Sequence, residues 1–237
     1  MGRRIWVTGA TGNMGKAVIE KFLASEDKVI GTLIPGEKAP VWPGQVQPEL
    51  ISLDLGDEKK VEEAIRLDIE KCGKIDVAVL TVGGFAAGDL RNTNAEGILK
   101  MINLNFITAF NSARPIFLQM IKQNYGRIFL VGARPGLSMA DSKGIFAYGL
   151  SKSMIFRLAE LLNAEAKGTE VVVSVLVPST IDTPQNRKDM PDSVMVFRIS
   201  VPVNCKKVSS APFIYSLRRF IWWSSCSYWN RVAFRRE

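Results

Sequence analysis

Short runs rich in β-branched residues alternate with longer amphipathic runs from residue 4 to residue 178, and this alternation constrains the fold more than any other feature of the chain. The strand-like runs are RIWVTG (4–9), KVIGTLI (28–34), ELISLDL (49–55), IDVAVLTVGG (75–84), GRIFLVGA (126–133) and EVVVSVLVP (170–178). Between them lie helical patterns at 13–25, 58–73, about 96–123 and 147–167. The run at 75–84 is almost continuously apolar, as in a strand buried on both faces. Parallel strands need crossovers of a dozen residues or more, and these segments have that length. The expected fold is α/β, a doubly wound parallel sheet in a single domain.

The first strand runs into TGATGNMGK (8–16), where a helix begins. A glycine cluster in that strand–turn–helix setting lets the backbone approach a pyrophosphate, and the helix N-terminus offers unpaired N–H groups. Gly9, Thr11, Gly12, Asn13, Met14 and Gly15 form this candidate nucleotide loop. Asp54 stands where it can accept a hydrogen bond from an adenine amino group, or else serve its own turn, with Asp57 the better helix cap. Gly83 and Gly84 end the fourth strand on the carboxyl edge, where ligands bind in such sheets. The acidic residue that usually grips a ribose at the end of strand two is missing. Leu33 occupies that place, with Glu37 and Lys38 beyond it, so NAD and NADP both remain open.

The chain contains no histidine, which removes Ser-His-Asp triads, Cys-His pairs and imidazole-held metals. Cys72, Cys205 and Cys226 are widely spaced, in no CxxC pattern, and fit a reducing setting; no metal site is expected. What chemistry remains is concentrated in IFAYGLSKSM (145–154), where Tyr148 and Lys152 are four apart on one helix face. A cation within about 4–6 Å of a phenol lowers its pKa by roughly 1–3 units, toward a usable acid and base.

Taken in order, TGATGNMG, LDLGD, a glycine-ended fourth strand, NLNFITAF, YGLSK and VPSTIDTP resemble the short-chain dehydrogenases/reductases, over residues 3 to about 192. Within them, VGGFAAGD, VGAR and LVPSTIDTPQNRKDMPD are similar to the quinonoid dihydropteridine reductases. The resemblance implies a Rossmann-type fold, NAD or NADP as cofactor, and a homodimer or homotetramer formed through the two long central helices. It implies Tyr148 as proton donor, Lys152 as the neighbour that lowers its pKa and holds the nicotinamide ribose, and Asn105 as holder of a relay water. Pro178 and Thr183 would lie against the carboxamide.

Two departures stand out. The family's catalytic serine maps to Ala133, with Ser138 and Ser142 in the following loop, and the usual second glycine of the nucleotide loop is Asn13. Phe85, Ala133, Asn186 and Arg187 are candidates for the substrate wall, although Phe85 serves equally as core and the basic run at Arg187 equally as a solvated loop. A missing serine suits an activated quinonoid C=N rather than a plain carbonyl. The functional expectation is therefore an NAD(P)H-dependent oxidoreductase acting on a small cyclic or carbonyl substrate, such as a quinonoid dihydropterin. The alternative is a catalytically weak nucleotide-binding or interaction protein on the same scaffold.

The net charge of +8 suggests nucleic acid, but its distribution does not. Residues 193–237 hold eight of the 31 basic residues and one of the 23 acidic ones, which leaves a net of +1 in the first 192. No nucleic-acid groove is expected there. The tail also lacks glycine and holds Trp222, Trp223 and Trp229. The domain is expected to span 1–192, and the basic tail 193–237 has two readings: a shifted reading frame, or a true segment whose FIWW anchors to a membrane surface or partner. Without the family's last strand, the sheet is expected to end on an unpaired edge. The N-terminus lacks an apolar signal core, Trp6 stands where myristoylation wants Ser or Thr, and no run approaches a membrane span. A cytoplasmic protein with a small-molecule substrate is the expectation.

Overall fold

The structure is a computed structural model that describes residues 2–178, Arg187 and Lys188, and the strand at 197–199. Seven strands form one sheet in the order β3-β2-β1-β4-β5-β6-β7. They are β1 (Arg4–Thr8), β2 (Lys28–Leu33), β3 (Glu49–Ser52), β4 (Val77–Leu80), β5 (Tyr125–Val131), β6 (Glu170–Pro178) and β7 (Phe197–Ile199). The first six run parallel, as expected. The chain first winds outward through β2 and β3 and then returns to lay β4 beside β1, with Val7 opposite Val79 and Thr8 opposite Leu80. That reversal opens a crevice at the carboxyl ends of β1 and β4, the place where such sheets receive ligands.

The helices α1 (Asn13–Leu23), α2 (Glu58–Cys72), α3 (Ala95–Ile102), α4 (Thr108–Lys122) and α5 (Phe146–Glu165) supply the crossovers. Their starts and stops follow local chemistry. Asp57 caps α2 by accepting from the Lys60 N–H, and Gly73 ends it in the left-handed conformation at φ 76°, which glycine adopts without a Cβ clash. The core is built from alternate residues of the buried strands, including Trp6, Ile30, Ala78, Leu80, Ile128 and Leu130, packed against Val61, Ile65, Ile116, Met120 and Ile155 of the helices. The Trp6 indole N–H has no hydrogen-bond partner in that core.

Four expectations are corrected. The single helix expected over about 96–123 is divided by a π-helical turn, Asn103–Ile107, between α3 and α4. Its wider i→i+5 pattern inserts a residue without ending the rod. The strand expected at 49–55 stops at Ser52, and the one expected at 75–84 covers only Val77–Leu80, because beyond Leu80 the chain leaves the ladder for the crevice. At the far edge β6 is not left bare: Leu176 to Pro178 pair antiparallel with Ile199 to Phe197. Apart from that strand and the pair Arg187–Lys188, the segment from 179 onward lies outside the described residues, and with it the proposed boundary at 192, the two readings of the tail, Thr183 and Asn186.

The opposite end of the sheet holds a charge network that sequence pattern did not suggest. Arg4, only 3% exposed, pairs with the carboxylates of Asp68 and Glu49, while its own N–H donates to Asp76. Lys71 reaches Glu49 at 3.0 Å and Lys74 reaches Asp76 at 3.0 Å. Complete pairing is what makes a buried guanidinium tolerable.

Candidate active site

At the crevice, Gly9 turns the chain out of β1 with φ +71°, and its N–H donates to the Thr32 hydroxyl while Ala10 N–H donates to Thr32 O. A Cβ on Gly9 would come within 2.9 Å of Val82, and one on Gly15 within 2.0 Å of the Gly9 carbonyl oxygen. Bare backbone is therefore required at both positions for α1 to start so close to β1. Gly12 is the extended residue preceding α1, which has neither a capping side chain nor an acidic residue in its first turn. Asn13 opens the helix, exposed, with Met14 half-buried behind it. The Thr11 hydroxyl donates to Glu37 at 2.7 Å. Across the crevice, Thr81 N–H donates to the Thr8 hydroxyl and the Thr81 hydroxyl to Thr8 O, joining the ends of β1 and β4.

Asp54 accepts from the Gly56 N–H at 2.9 Å, so one carboxylate oxygen serves its own turn, and Asp57 takes the helix cap as expected.

The second half of the site is assembled on Asn105, which the π-helical turn carries, 1% exposed. Gly84 N–H donates to Asn105 Oδ1 at 2.9 Å, and Asn105 Nδ2 donates to Gly84 O at 3.1 Å and to Ser151 Oγ at 3.0 Å. Ser151 in turn donates to the Tyr148 carbonyl. The end of β4 is thus tied through one amide to the first turns of α5. A Cβ on Gly83 would lie 2.6 Å from Asn105 Oδ1 and 3.1 Å from Lys152 Nζ, so these three residues meet. The Asn105 side chain is engaged with Gly84 and Ser151, so its amide serves to join these elements.

Tyr148 is half-buried on α5, and the Phe85 ring stands edge-on to it with centroids 5.0 Å apart. Phe85 is 64% exposed, which answers the core alternative: it forms a wall beside the phenol, not part of the interior. Gly88 and Ile145 form a bridge that fastens the loop after β4 to the residues just before α5. Lys152 is buried, donates to Val131 O at 2.9 Å and lies 5.9 Å from the Tyr148 ring centroid. Burial lowers its pKa to about 8 and raises that of the Tyr148 phenol. The expected lowering of the phenol by Lys152 is not seen here, since desolvation governs both groups and the ammonium is turned toward Val131.

Ala133 is buried just past β5. Neither nearby serine replaces its missing hydroxyl. Ser142 Oγ is directed at the Pro135 and Ser138 carbonyls, and Ser138 Oγ accepts from Asp141 N–H, so both hold the loop together. Pro178 ends β6, buried, and Arg187 is exposed. Residues 3–193 match the model of the short chain dehydrogenase family.

The chain belongs to the short chain dehydrogenase family. This is an oxidoreductase family whose members work with NAD or NADP. Among curated relatives, the mouse 3-ketodihydrosphingosine reductase is 29% identical over 77% of this chain, and the match spans 58% of that enzyme's own length. The dihydropteridine reductase of Dictyostelium discoideum is 29% identical over 81% of this chain and 80% of its own. A solved structure of an ElxO variant with NADPH bound superposes with a TM-score of 0.75 at 25% identity, covering 81% of this chain and 79% of the other.

Bare backbone at Gly9 and Gly12 and the uncapped N–H groups at the start of α1 are donors of the kind the family's dinucleotide takes at its pyrophosphate. Trp42, Ser151 and Arg4 were not singled out as functional or structural centres from sequence. Only Ser151, beside the Tyr148–Lys152 pair, carried a usable signal there.

Proposed function

We propose that this chain is an NAD(P)H-dependent reductase of a small planar ring substrate, with a quinonoid dihydropterin as the leading case and Tyr148 as its proton donor. The observation that carries the reading is the exposed Phe85 ring standing edge-on at 5.0 Å to the half-buried phenol of Tyr148. A flat heterocycle laid against Phe85 brings its edge to the Tyr148 hydroxyl, and ring contacts of this kind are favourable. Likeness to the Dictyostelium dihydropteridine reductase and the alanine at position 133 support the same substrate class.

In this reading the backbone of Gly9, Gly12 and Gly15 and the open N–H groups of α1 hold the pyrophosphate. A bound nicotinamide dinucleotide supplies the hydride. As the substrate's C=N group gains electrons, Tyr148 Oη gives its proton to the nitrogen and becomes a phenolate. Lys152, one turn along α5 and held on Val131 O at 2.9 Å, is the neighbouring cation that would stabilise that phenolate on turning toward it. Asn105 acts as a positioning residue: it fixes Gly84 and, through Ser151, the Tyr148 carbonyl.

The test is oxidation of NADH and of NADPH with quinonoid dihydropterin, for the parent and for Tyr148→Phe. The phenylalanine variant is expected to lose about 10²–10⁴ in kcat while keeping nucleotide affinity, as for loss of a general acid. A parent inactive on the pterin, or a variant as active as the parent, overturns the reading. Nucleotide binding without turnover on any reducible ring or carbonyl would instead favour the weakly catalytic alternative, in keeping with Ala133.

A further inference from the structure

Past β3 the chain leaves the sheet in a tight turn. Leu53 N–H still donates to Leu33 O, and Asp54 Oδ1 then accepts from the Gly56 N–H at 2.9 Å. The carbonyls of Leu55 and Gly56 are met by a side chain from a distant part of the sequence: Asn111 of α4 donates its amide to them at 2.9 and 3.4 Å. Asn111 is 5% exposed, and a buried amide is costly unless it is bonded.

The helix itself is opened at this residue. Pro115, four residues on, has no N–H to return to the Asn111 carbonyl. The rod therefore breaks the regular α pattern twice, at the π-helical turn that carries Asn105 and at the turn that carries Asn111. Each break coincides with an asparagine amide bonded to backbone just past a strand end: Gly84 after β4, Leu55 and Gly56 after β3. The neighbouring excursion between β2 and β3, residues 34–48, is fastened by other means. It opens with a turn at Pro35-Gly36, where Glu37 N–H donates to Ile34 O at 3.0 Å. Further along, the Trp42 indole N–H donates to Lys16 O of α1 at 2.9 Å.

We infer that Asn111 is a positioning residue for the adenine end of the cofactor, acting through Leu55, Gly56 and Asp54. A hydrogen bond tells one base from another only where the protein group is held in place. Asn111 holds the Gly56 peptide, and the Gly56 N–H holds Asp54 Oδ1, which leaves Oδ2 for the amino group of adenine. One helix thereby sets both ends of the dinucleotide site, the nicotinamide end through Asn105 and the adenine end through Asn111. The inference rests on dinucleotide binding and on the adenine contact read for Asp54, not on the pterin reading.

The experiment compares NADH with reduced nicotinamide hypoxanthine dinucleotide, which carries an oxygen where adenine carries its amino group. Both are titrated by calorimetry into the full chain, for the parent, Asn111→Leu, Asn111→Ser and Ser112→Ala, with thermal unfolding of each protein alone as a check on folding. The parent is expected to bind NADH at least about tenfold more tightly, the scale of one hydrogen bond to a charged group. Asn111→Leu is expected to bring the two affinities to within about threefold, chiefly by weaker NADH. A merely structural role would weaken both alike and keep the ratio. Asn111→Ser covers the case in which leucine unfolds the chain: a serine hydroxyl bonds back to its own helix and is too short to reach the turn, so the ratio is expected to fall likewise. Ser112→Ala removes a bond to Thr108 O on the same helix and is expected to keep the parent's ratio. A parent that binds both alike overturns the inference, as does a parent-like ratio in the folded Asn111 variants or a lost ratio in Ser112→Ala. A folded parent that binds neither nucleotide overturns it together with the nucleotide site itself. Pterin turnover does not enter, so failure of the substrate reading stays distinguishable.

Discussion

Asn105 and Gly84 hold each other by a reciprocal pair of hydrogen bonds: the glycine N–H to Oδ1 at 2.9 Å, and Nδ2 to the glycine carbonyl at 3.1 Å. An amide side chain here closes the backbone of a strand end that has left its ladder. The third bond, to Ser151, extends the clamp to α5. Asn105→Ala takes the partner from the half-buried N–H and C=O of Gly84, where a fully buried group would cost about 1–3 kcal/mol. The expected result is a stability loss of roughly 1–2 kcal/mol in urea unfolding, with weakened nucleotide binding. A loss under about 0.5 kcal/mol would mean the clamp is replaced by water.

Lys152 gives a pH signature. Its folded-state value of about 8 lies below the ordinary 10.5, because burial disfavours the ammonium. As pH rises through 8 the folded protein gives up that proton first, so between about 8 and 10.5 the unfolded chain binds more protons and stability rises. Urea unfolding of the parent and of Lys152→Met across this window should show the parent gaining on the variant. A constant difference between the two would contradict the assignment.

Acid should act on the other end of the sheet. Hydrogen bonds from Arg4 and then Lys71 lower the Glu49 carboxyl from 4.5 to about 2. Its contribution is complete above 4.5 and is lost as pH falls toward 2. Glu49 is exposed, so screening keeps the effect small and salt-dependent. Glu49→Gln should flatten the stability profile between pH 4.5 and 2 at low salt, and a profile unchanged from the parent would rule this out.

Trp6 has an indole N–H buried without a partner. Removing an orphaned donor recovers part of its desolvation cost and offsets the lost packing. Trp6→Phe is therefore expected to cost less than about 1 kcal/mol, where a well-satisfied core tryptophan would cost more. Chemical denaturation decides between these outcomes.

What was legible in the sequence was what depends on local period and on steric necessity. The strands showed as β-branched runs because β1, β2 and β4 are buried along nearly their whole length, and Gly9 showed because its conformation excludes other residues. The reach of a side chain across the fold left no such mark. Arg4 finds Asp68 sixty-four residues away, and nothing in RIWVT separates a buried arginine from a solvated one. Glu37 could be placed only as lying beyond Leu33, because the turn at Pro35-Gly36 decides that its carboxylate meets the Thr11 hydroxyl. The same limit explains Asn105: NLNFITAF placed an asparagine in the right helix, but only the π-helical turn decides which backbone its amide meets.

The indole bond from Trp42 to Lys16 bears on how this protein can be re-engineered. Because that one bond joins the 34–48 loop to α1, the glycine turn, the helix start and the loop behave as a single exchangeable cassette. A chimera that imports a relative's loop without a tryptophan at this place inherits a free end where this chain has a fixed one. Grafts that respect the joint would cut at the ends of β1 and β3, not within the loop.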